Sequence, residues 1–570
     1  MTLAIGALLV AARLFVMQAP DSPARPLSRD DSAAAQKAAR RAQSDFERRR
    51  FSMLPFVYGS SDRCDVRVGR WCYWQDGVDS APPEPKSIGA LRSKFVARLG
   101  ELAARSPTDG WIAGQRVRYL VEAKRTDDAL AAAKECRAEP SWCASLGALA
   151  LSSAPDARAA DSAVTAALDA MTREQRCAAL DIEPLVDGNF RERYHAATCA
   201  EKDSLRARWL WLARASYATP GNEIRVELFA RHMMARLASE SSSPYGPITG
   251  KDLRDLVLRY GWAAGWGRTA PGASIGDQGR AVGFDGARTY ALAPTDGDLA
   301  DPTTIGDAPK LRDDPTARAR FPIRGAKTFG GLTERVALFR RGDSTLAIAA
   351  FDASSDTAMR GVDSARTALV LVRDEHTPPV VVSTVRRPRG VLTASAPWRP
   401  AFLAIEMRDS SSGRVARARA GVPATDTDSG RVAISDLLLF AADSLPPSAL
   451  DSVVARAIVD GRIAAGGRLG LFWEMYGLAA NERVTATIGL VPDQAGFLRR
   501  LAERAGVATA RTPVHLRWED TPEVHGSVGG RTLVIDLAEV PEGRYTVEVT
   551  LDVAGQPTRH ATSTVEIVSK

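Results

Sequence analysis

The spacing of apolar residues changes along this 570-residue chain, from a helical period in the first half to a period of two in the second. Val226, Phe229 and Met233 recur at the spacing of one helix face, whereas Leu469 and Leu471 alternate with their neighbours as strand residues do. Apolar residues at helical spacing would point to both faces of a strand, so this pattern favours a helix. We therefore predict a multidomain α+β protein, in which an N-terminal α-helical hairpin array precedes two antiparallel, immunoglobulin-like β-sandwich domains.

Shifts in composition and period predict several segments, because a chain of this length exceeds one hydrophobic core. The segments are a signal peptide or short anchor at 1–24, an N-terminal arm at 25–84, a helical hairpin region at 85–200, a helix-and-strand segment at 201–267, a Gly/Asp/Pro-rich loop at 268–320, a β-sandwich at 321–445, a linker helix at 446–465 and a C-terminal β-sandwich at 466–570. We also predict an exposed helix with little apolar face at 27–50, and an inserted helix at 495–506.

The N-terminus favours export from the cytoplasm. The apolar run from Leu3 to Met17 is too short for a comfortable membrane span and resembles the apolar region of a secretory signal, with Ser22-Pro23-Ala24 as a cleavage site. No basic residue precedes the run, so a short anchor or a buried N-terminal helix stays an alternative. Membrane contact is expected only through this segment, if it is not cleaved.

The six cysteines favour the same compartment. They form neighbouring pairs along the sequence: Cys64 with Cys72, Cys136 with Cys143, and Cys177 with Cys199. Six cysteines allow many connectivities, and closing these local loops is the simplest of them. Zinc ribbons need two tight cysteine knuckles, which the spacing does not provide. We predict disulfides, and hence a periplasmic or envelope-associated protein.

The net charge of +7 does not indicate nucleic-acid binding. The arginines are scattered among acids, and no basic run is interleaved with aromatic residues. We expect no nucleic-acid partner.

No motif assembles a reactive site, so we assign no catalytic, cofactor-binding or metal-binding residues. Residues 272–276 match the Gly-x-Ser-x-Gly elbow but lie in a Pro- and Gly-rich stretch, whereas the elbow needs a strand before it and a helix after it. The six histidines show no metal-binding spacing. Aspartates that could offer oxygen ligands are read as solvated turn residues, namely Asp296, Asp298, Asp301, Asp426 and Asp428.

Two family resemblances add to this reading. Trp111 and Trp142 open successive helix pairs about one repeat apart, and Ala-rich second helices follow, so 110–171 resembles degenerate tetratricopeptide repeats. The run "TPGNE", an Arg-containing helix and "LVLRYG", read as a strand, resemble the GWxTD domain of exported bacterial proteins over 205–266. Segments "VAISDLLLF", "LGLFWEMYGL" and "VPEGRYTVEVTL" extend that resemblance over 430–570. The resemblance implies no established chemistry.

The aromatic residues Tyr260, Trp262 and Trp266 lie beside three glycines at the end of the helical part of the chain. Packed between the helical and β regions, they form a structural hinge; on a loop over a cleft, they form a binding surface. We favour the hinge.

The absence of a reactive motif favours a non-enzymatic cell-envelope protein that mediates protein–protein interaction or scaffolding, with a protein partner in the envelope. The concave face of a helical array and the edges of sandwiches are common recognition surfaces. The alternative is an envelope hydrolase whose site comes from residues distant in sequence, including carboxylates of 268–320.

Overall fold

A computed structural model of the protein describes twelve stretches of the chain. They are residues 29–57, 66–69, 71–74, 82–246, 250–270, 279–284, 288–306, 317–423, 432–442, 449–493, 514–522 and 528–569. The predicted leader at 1–24, the predicted inserted helix at 495–506 and the Cys64 half of one cysteine pair lie outside these residues.

The chain is α+β, and its first part is helical, as the apolar spacing predicts. The helices of this part are α1 (Arg29–Met53), α2 (Lys86–Arg105), α3 (Gly110–Glu122), α4 (Thr126–Glu135), α5 (Pro140–Leu151), α6 (Ala157–Asp169), α7 (Arg173–Ala179), α8 (Gly188–Ala196), α9 (Cys199–Leu212), α10 (Glu223–Ser239) and α11 (Asp252–Tyr260). Successive helices from α2 to α6 pack against each other, and α10 lies across α3, α5 and α6.

Capping side chains set where several of these helices begin. Asp109 accepts a hydrogen bond from the amide of Ile112 at 3.0 Å at the start of α3. Asn222 accepts one from the amide of Arg225 at 3.1 Å at the start of α10. Each cap satisfies an amide that the helix leaves without an internal partner.

Two local predictions are wrong. The "LVLRYG" run, read as a strand, belongs to α11, because Leu253, Leu256 and Val257 lie on one buried helix face. The helix expected to be exposed at 27–50 is α1, and it is packed against α2 and α3. Its buried face is partly polar, which is why the sequence shows so weak an apolar stripe; that face consists of Ala35, Ala39, Gln43, Phe46, Glu47 and Arg50.

Most of the strands lie in the second part of the chain. They are preceded by two small sheets: one of order β1-β2-β4-β3, which borders the helices, and the pair β5-β6. These early strands are β1 (Val66–Val68), β2 (Trp71–Trp74), β3 (Gly265–Arg268), β4 (Ala281–Phe284), β5 (Thr289–Ala291) and β6 (Arg320–Pro322). The described part of 268–320, expected to be a loop, therefore contains short strands, together with the helix α12 (Asp296–Ala300).

The first β unit, residues 328–422, has two sheets, of order β11-β10-β13-β14-β7 and β12-β9-β8. Its strands are β7 (Thr328–Gly331), β8 (Thr333–Arg341), β9 (Ser344–Asp352), β10 (Ala365–Val372), β11 (Val380–Arg386), β12 (Arg389–Ala396), β13 (Phe402–Asp409) and β14 (Arg414–Gly421). All neighbours are antiparallel except β7 with β14, which are parallel.

The second β unit, residues 432–568, also has two sheets and contains the short helix α13 (Leu450–Val454). In one sheet β18 pairs with β15, β16 and β21, and the other has the order β17-β23-β22-β19-β20. Its strands are β15 (Ala433–Ile434), β16 (Leu438–Ala441), β17 (Arg462–Ala464), β18 (Arg468–Tyr476), β19 (Val484–Pro492), β20 (Val514–Asp520), β21 (Val528–Asp536), β22 (Gly543–Val553) and β23 (Arg559–Val568).

The helices and the four larger sheets are stacked as successive layers, and strands of the inner layers place alternate side chains in the cores on their two sides. On β10, Val370 packs into the helical core, whereas its neighbour Leu371 packs into the core of the first β unit. On β9, Ile348 contacts the second β unit together with Phe472 of β18. Trp473, the next residue, faces the core of that unit. Inner strands are thus buried on both faces, as period-two patterning requires of a central layer.

The joint between the helices and the first β unit is made by charged side chains. Glu406 of β13 accepts hydrogen bonds from the amides of Tyr217 and Ala218, at 2.7 and 2.9 Å, and from the Ser216 hydroxyl at 2.5 Å. Arg419 of β14 donates to the carbonyl oxygen of Leu212 at 2.7 Å. A cation at the last turn of α9 satisfies its free carbonyls and complements its dipole.

We expect Glu406→Gln to weaken this joint, because the amide replaces a charged acceptor and turns a donor toward backbone amides. The free energy of unfolding should fall by about 2–3 kcal/mol. Chemical denaturation followed by tryptophan fluorescence measures the change. Glu519→Gln, at an exposed position of β20, is the matched control; equal midpoints for the two variants would contradict the assignment.

Candidate binding groove

A groove of about 450 Å³ lies at the side of the helical array, where α5, α7, α10 and α11 meet. We call it the helical groove. It lies beside α10, which itself covers parts of α3, α5 and α6. Its described lining includes Glu139, Trp142, Met171, Gln175, His232, Met233, Arg236, Lys251 and Arg254.

The floor of the helical groove is apolar and fixed in place. The indole nitrogen of Trp142 donates to the carbonyl oxygen of Gly110 at 2.8 Å. A Cβ at Gly114 would lie 2.9 Å from the Trp142 ring and 2.6 Å from Leu237, so only glycine allows α3, α5 and α10 to approach so closely. Met171 and Met233 complete an adaptable surface beside this rigid ring.

The rim of the helical groove is basic. The guanidinium of Arg236 lies 4.3 Å from the centre of the Trp142 ring, and Arg254 pairs with Asp181 at 3.0 Å. Lys251 adds a third cation, and Glu139 supplies the carboxylate of the described lining. An apolar floor with a rim of three cations favours an apolar ligand that carries negative charge.

Two disulfides border the helical groove. Cys136–Cys143 joins the residue after α4 to α5, and Cys177–Cys199 joins α7 to α9; their Cα atoms are 5.6 and 5.7 Å apart. These are two of the three pairs expected from the sequence. Because α5 and α7 form walls of the groove, the crosslinks hold its shape.

His232 lies at the wall of the helical groove as a neutral base. Its Nε2 donates to the carbonyl oxygen of Asp181 at 2.9 Å. Burial lowers the pKa of His232 to about 4, since the charged imidazolium would lose solvation beside the cation of Arg254. At neutral pH the residue is therefore a fixed donor and not a further charge.

The aromatic residues Tyr260, Trp262 and Trp266 lie away from the helical groove, between the helices and the small sheet. Tyr260 ends α11 and stacks on Tyr73 at 5.8 Å. Trp266 of β3 is buried, Trp262 is partly buried, and their rings meet edge to face at 5.8 Å. Both tryptophan rings pack on guanidinium groups: Arg118 lies over Trp262 and Arg50 over Trp266, at 5.0 and 4.1 Å.

Those two arginines belong to a buried charge cluster, formed by Glu47 and Arg50 of α1 and Arg118 and Glu122 of α3. Arg50 bonds Glu122 at 3.0 Å, and Nε of Arg118 bonds the same carboxylate at 3.1 Å. The side chains are at most 2% exposed. The indole nitrogen of Trp262 donates to Glu122 at 3.2 Å, so this ring both covers the cluster and takes part in it.

Burial acts on the two carboxylates of the cluster with different outcomes. It raises the pKa of Glu47, whose carboxylate also accepts a hydrogen bond from the hydroxyl group of Tyr119. Burial also acts to raise the pKa of Glu122, but the attraction of Arg50 and Arg118 outweighs it and holds the pKa of Glu122 below its usual value. Two bonded cations make Glu122 the anionic centre of the cluster.

The remaining sequence candidates form no reactive site among the described residues. Thr295 and Asp298 form a reciprocal cap at the start of α12, and Asp301 accepts a hydrogen bond from the amide of Thr303 at 2.9 Å. The 272–276 motif, Asp426 and Asp428 lie outside the described residues. Within the described stretches, no group of three or more metal-binding side chains comes together, and no serine hydrogen-bonds a histidine. No described helix is long and apolar enough to span a membrane.

Sequence reasoning missed both the helical groove and the buried charge cluster. The Glu47–Arg50 and Arg118–Glu122 spacings are those of helical ion pairs, which usually lie on exposed faces. Nothing in the sequence distinguishes these pairs from the exposed pair of Arg98 and Glu101. The groove depends on four helices that are distant in sequence.

No protein-family model matches the chain, and no curated protein matches it. Solved structures show distant similarity. A red sea bream transglutaminase is 11% identical over 42% of this chain and 32% of that chain, with a TM-score of 0.13. A tetra-tandem repeat from the extending region of a large adhesion protein is 12% identical over 42% of this chain and 49% of that chain, also with a TM-score of 0.13. The chain spans less than half the length of either protein, and scores this low carry no assignment.

We expect Trp262→Ala to lower the melting temperature, because it removes a donor from Glu122 and admits water to the buried charge cluster. The loss should be about 2–4 kcal/mol of unfolding free energy. Differential scanning calorimetry measures it. The control is Phe56→Ala, which truncates a ring that is 53% exposed. Unchanged stability of Trp262→Ala would favour the binding-surface interpretation of these aromatic residues.

We expect His232 to make stability depend on pH. The pKa of His232 is about 4 in the folded protein and near 6.5 when unfolded, so the unfolded chain takes up the proton first as the pH falls. Stability present above pH 6.5 is thus lost between about pH 6.5 and about pH 4. Because the side chain is partly exposed, the loss should be about 1–2 kcal/mol.

His232→Gln keeps a donor for the Asp181 carbonyl and removes the titration. Denaturation at a series of pH values should show a flatter profile for this variant than for the wild type. His376→Gln, the same substitution at an exposed position, is the matched control. Parallel profiles for wild type and His232→Gln would refute the assignment.

Proposed function

We propose that the protein is a non-enzymatic cell-envelope protein that binds a partner protein through the helical groove, in an interaction or scaffolding role. The observation that carries this proposal is the combination of an apolar floor at Trp142 and Met233 with a basic rim. A protein segment with apolar side chains flanked by Asp or Glu complements both features. Buried aromatic rings in fixed pockets are the usual energetic centres of such contacts.

The disulfides support the proposed compartment. Crosslinks such as Cys136–Cys143 and Cys177–Cys199 persist in oxidising surroundings. We infer an exported protein of the periplasm or envelope, and the signal-like residues 1–24 support this inference.

The family resemblances belong to the same proposal. We infer tetratricopeptide-like hairpins from the order of α3 to α6, which begin at Gly110, Thr126, Pro140 and Ala157. The two β units are proposed to be immunoglobulin-like sandwiches, because each has a core between two largely antiparallel sheets. The GWxTD resemblance supports a place among exported bacterial proteins.

A hydrolase finds less support among the described residues. Of the carboxylates of 268–320 on which that alternative depends, Asp298 and Asp301 serve as helix caps. His232 is held on a backbone carbonyl and not on a nucleophile.

Site-specific photocrosslinking in intact cells tests the groove. A photoreactive residue at exposed Gln175 should give one discrete adduct with an envelope protein. Lys251→Glu, which places repulsive charge on the rim at an exposed position, should reduce the adduct about tenfold.

The matched control is Lys94→Glu, the same charge reversal at an exposed position of α2 that does not line the groove. This variant should leave the adduct unchanged. No adduct from Gln175, or equal loss from both charge reversals, would contradict partner binding in the groove.

A further inference from the structure

The first β unit has an open edge at β11, the outermost strand of the sheet β11-β10-β13-β14-β7. The whole strand pairs with β10 in regular antiparallel register, from Val380 opposite Leu371 to Arg386 opposite Ala365. Within the part of the chain that the structure describes, residues 380–386 have no hydrogen-bond partner outside β10. Alternate residues of an edge strand turn their amide and carbonyl groups outward, so β11 presents unpaired backbone groups to a further strand.

The side chains of this edge are apolar and exposed. Val381, Val382 and Val385 are 40%, 38% and 64% exposed. No charged residue lies between Val381 and Val385, and the pairing with β10 runs without a bulge. A regular strand with apolar side chains at an open edge is the arrangement that favours pairing with another chain.

Other edge strands of the protein are protected against such pairing. β20, at the edge of the second β unit, carries Arg517 and Glu519 at exposed positions. β7, at the opposite edge of the β11 sheet, has only 4 residues. Charged side chains and short length are the usual means by which soluble proteins protect strand edges. β11 has neither, which singles it out as the strand available for pairing.

The two ends of β11 differ in charge. Arg386 and Arg387 are exposed at its end, and neither has an ion-pair partner among the described residues. The turn before the strand contains Asp374, whose side chain is 38% exposed and contacts Arg373 at 3.6 Å. An identical strand in the antiparallel direction would bring its arginines toward this carboxylate, whereas an identical parallel strand would place cation beside cation.

The β11 sequence is complementary to itself in the antiparallel direction. With Ser383 on a two-fold axis, Val381 of each copy lies opposite Val385 of the other. Arg386 of each copy then lies opposite Val380 of the other, so no two like charges are paired. Valine pairs across neighbouring strands are favourable, and two-fold symmetry is the commonest symmetry of protein assemblies.

We propose that β11 is a self-association surface, through which two copies of this chain pair in antiparallel register with Ser383 at the two-fold axis. The pairing joins the β11 sheets of the two copies into one continuous sheet. The surface includes no residue that lines the helical groove. Self-association and the proposed partner binding are therefore independent, and either can fail without the other.

Sedimentation velocity of the full chain over a series of concentrations tests the proposal. The sedimentation coefficient should rise with concentration, as expected for a reversible equilibrium between monomer and dimer. A chain that stays monomeric up to about 0.5 mM would overturn the proposal and leave the edge to a different partner.

Two double variants test the register, and each is the matched control of the other. Val381→Lys with Val385→Lys places like charges opposite each other and should raise the dissociation constant of the dimer at least about tenfold. Val381→Glu with Val385→Lys places opposite charges there and should keep the dimer. Both positions are exposed, so the monomer should fold normally, which circular dichroism checks. Equal dissociation constants of the two double variants would refute antiparallel self-pairing.

Crosslinking tests the position of the two-fold axis. Directly opposite residues of antiparallel strands have Cα atoms about 4.5–5.5 Å apart, which a disulfide can span. Ser383→Cys should therefore give a covalent dimer on mild oxidation, read by non-reducing electrophoresis. Ser395→Cys, the same substitution at an exposed position of the edge strand β12, should give none. Equal yields of dimer from the two variants would contradict the assigned axis.

Discussion

The buried charge cluster of Glu47, Arg50, Arg118 and Glu122 is the interaction on which the N-terminal architecture depends. Four charges with side chains at most 2% exposed are tolerated only because they neutralise each other and because Trp262 and Trp266 cover the cations. Removing one partner would leave a net charge buried away from solvent. The cluster therefore fixes α1 on α3 and determines where the small sheet joins the helices.

The β units are attached to this part of the structure one after the other, because neighbouring layers pack against each other through their side chains. Glu406 and Arg419 attach the first β unit to the end of α9, through hydrogen bonds to backbone groups that the helix leaves unpaired. Successive side chains of β9 and β18 point to opposite faces of their sheets, so these strands pack both within their own unit and against the other unit. The helical groove lies where four helices meet, and a cavity of about 470 Å³ lies where the two β units meet.

Apolar spacing along the sequence predicted those helices and strands whose formation depends on residues close in sequence. The spacing of Val226, Phe229 and Met233 and the cap at Asn222 place α10, and alternation around Trp473 places β18. Prediction was wrong where long-range contacts reversed a local preference. Leu256–Leu258 resembles a strand as a short apolar run, yet the buried surface around it fits a helix face. α1 appeared too polar to be buried, because its charged partners are distant in sequence, with 72 residues between Arg50 and Glu122, and they carry no local signal.

The sequence by itself determined the order of helical and β parts and two cysteine pairs, Cys136–Cys143 and Cys177–Cys199, because each is set by apolar spacing or by a short loop. Only the tertiary structure decided which charges are buried and where cavities form. Trp142, Met171, His232 and Lys251 become one groove through the crossing of α5, α7, α10 and α11. The cavity between the two β units forms from the β8–β9 hairpin of one unit and from residues 433–436 and 558–560 of the other. Burial and proximity are properties of the packed chain, since they depend on residues that share no local pattern.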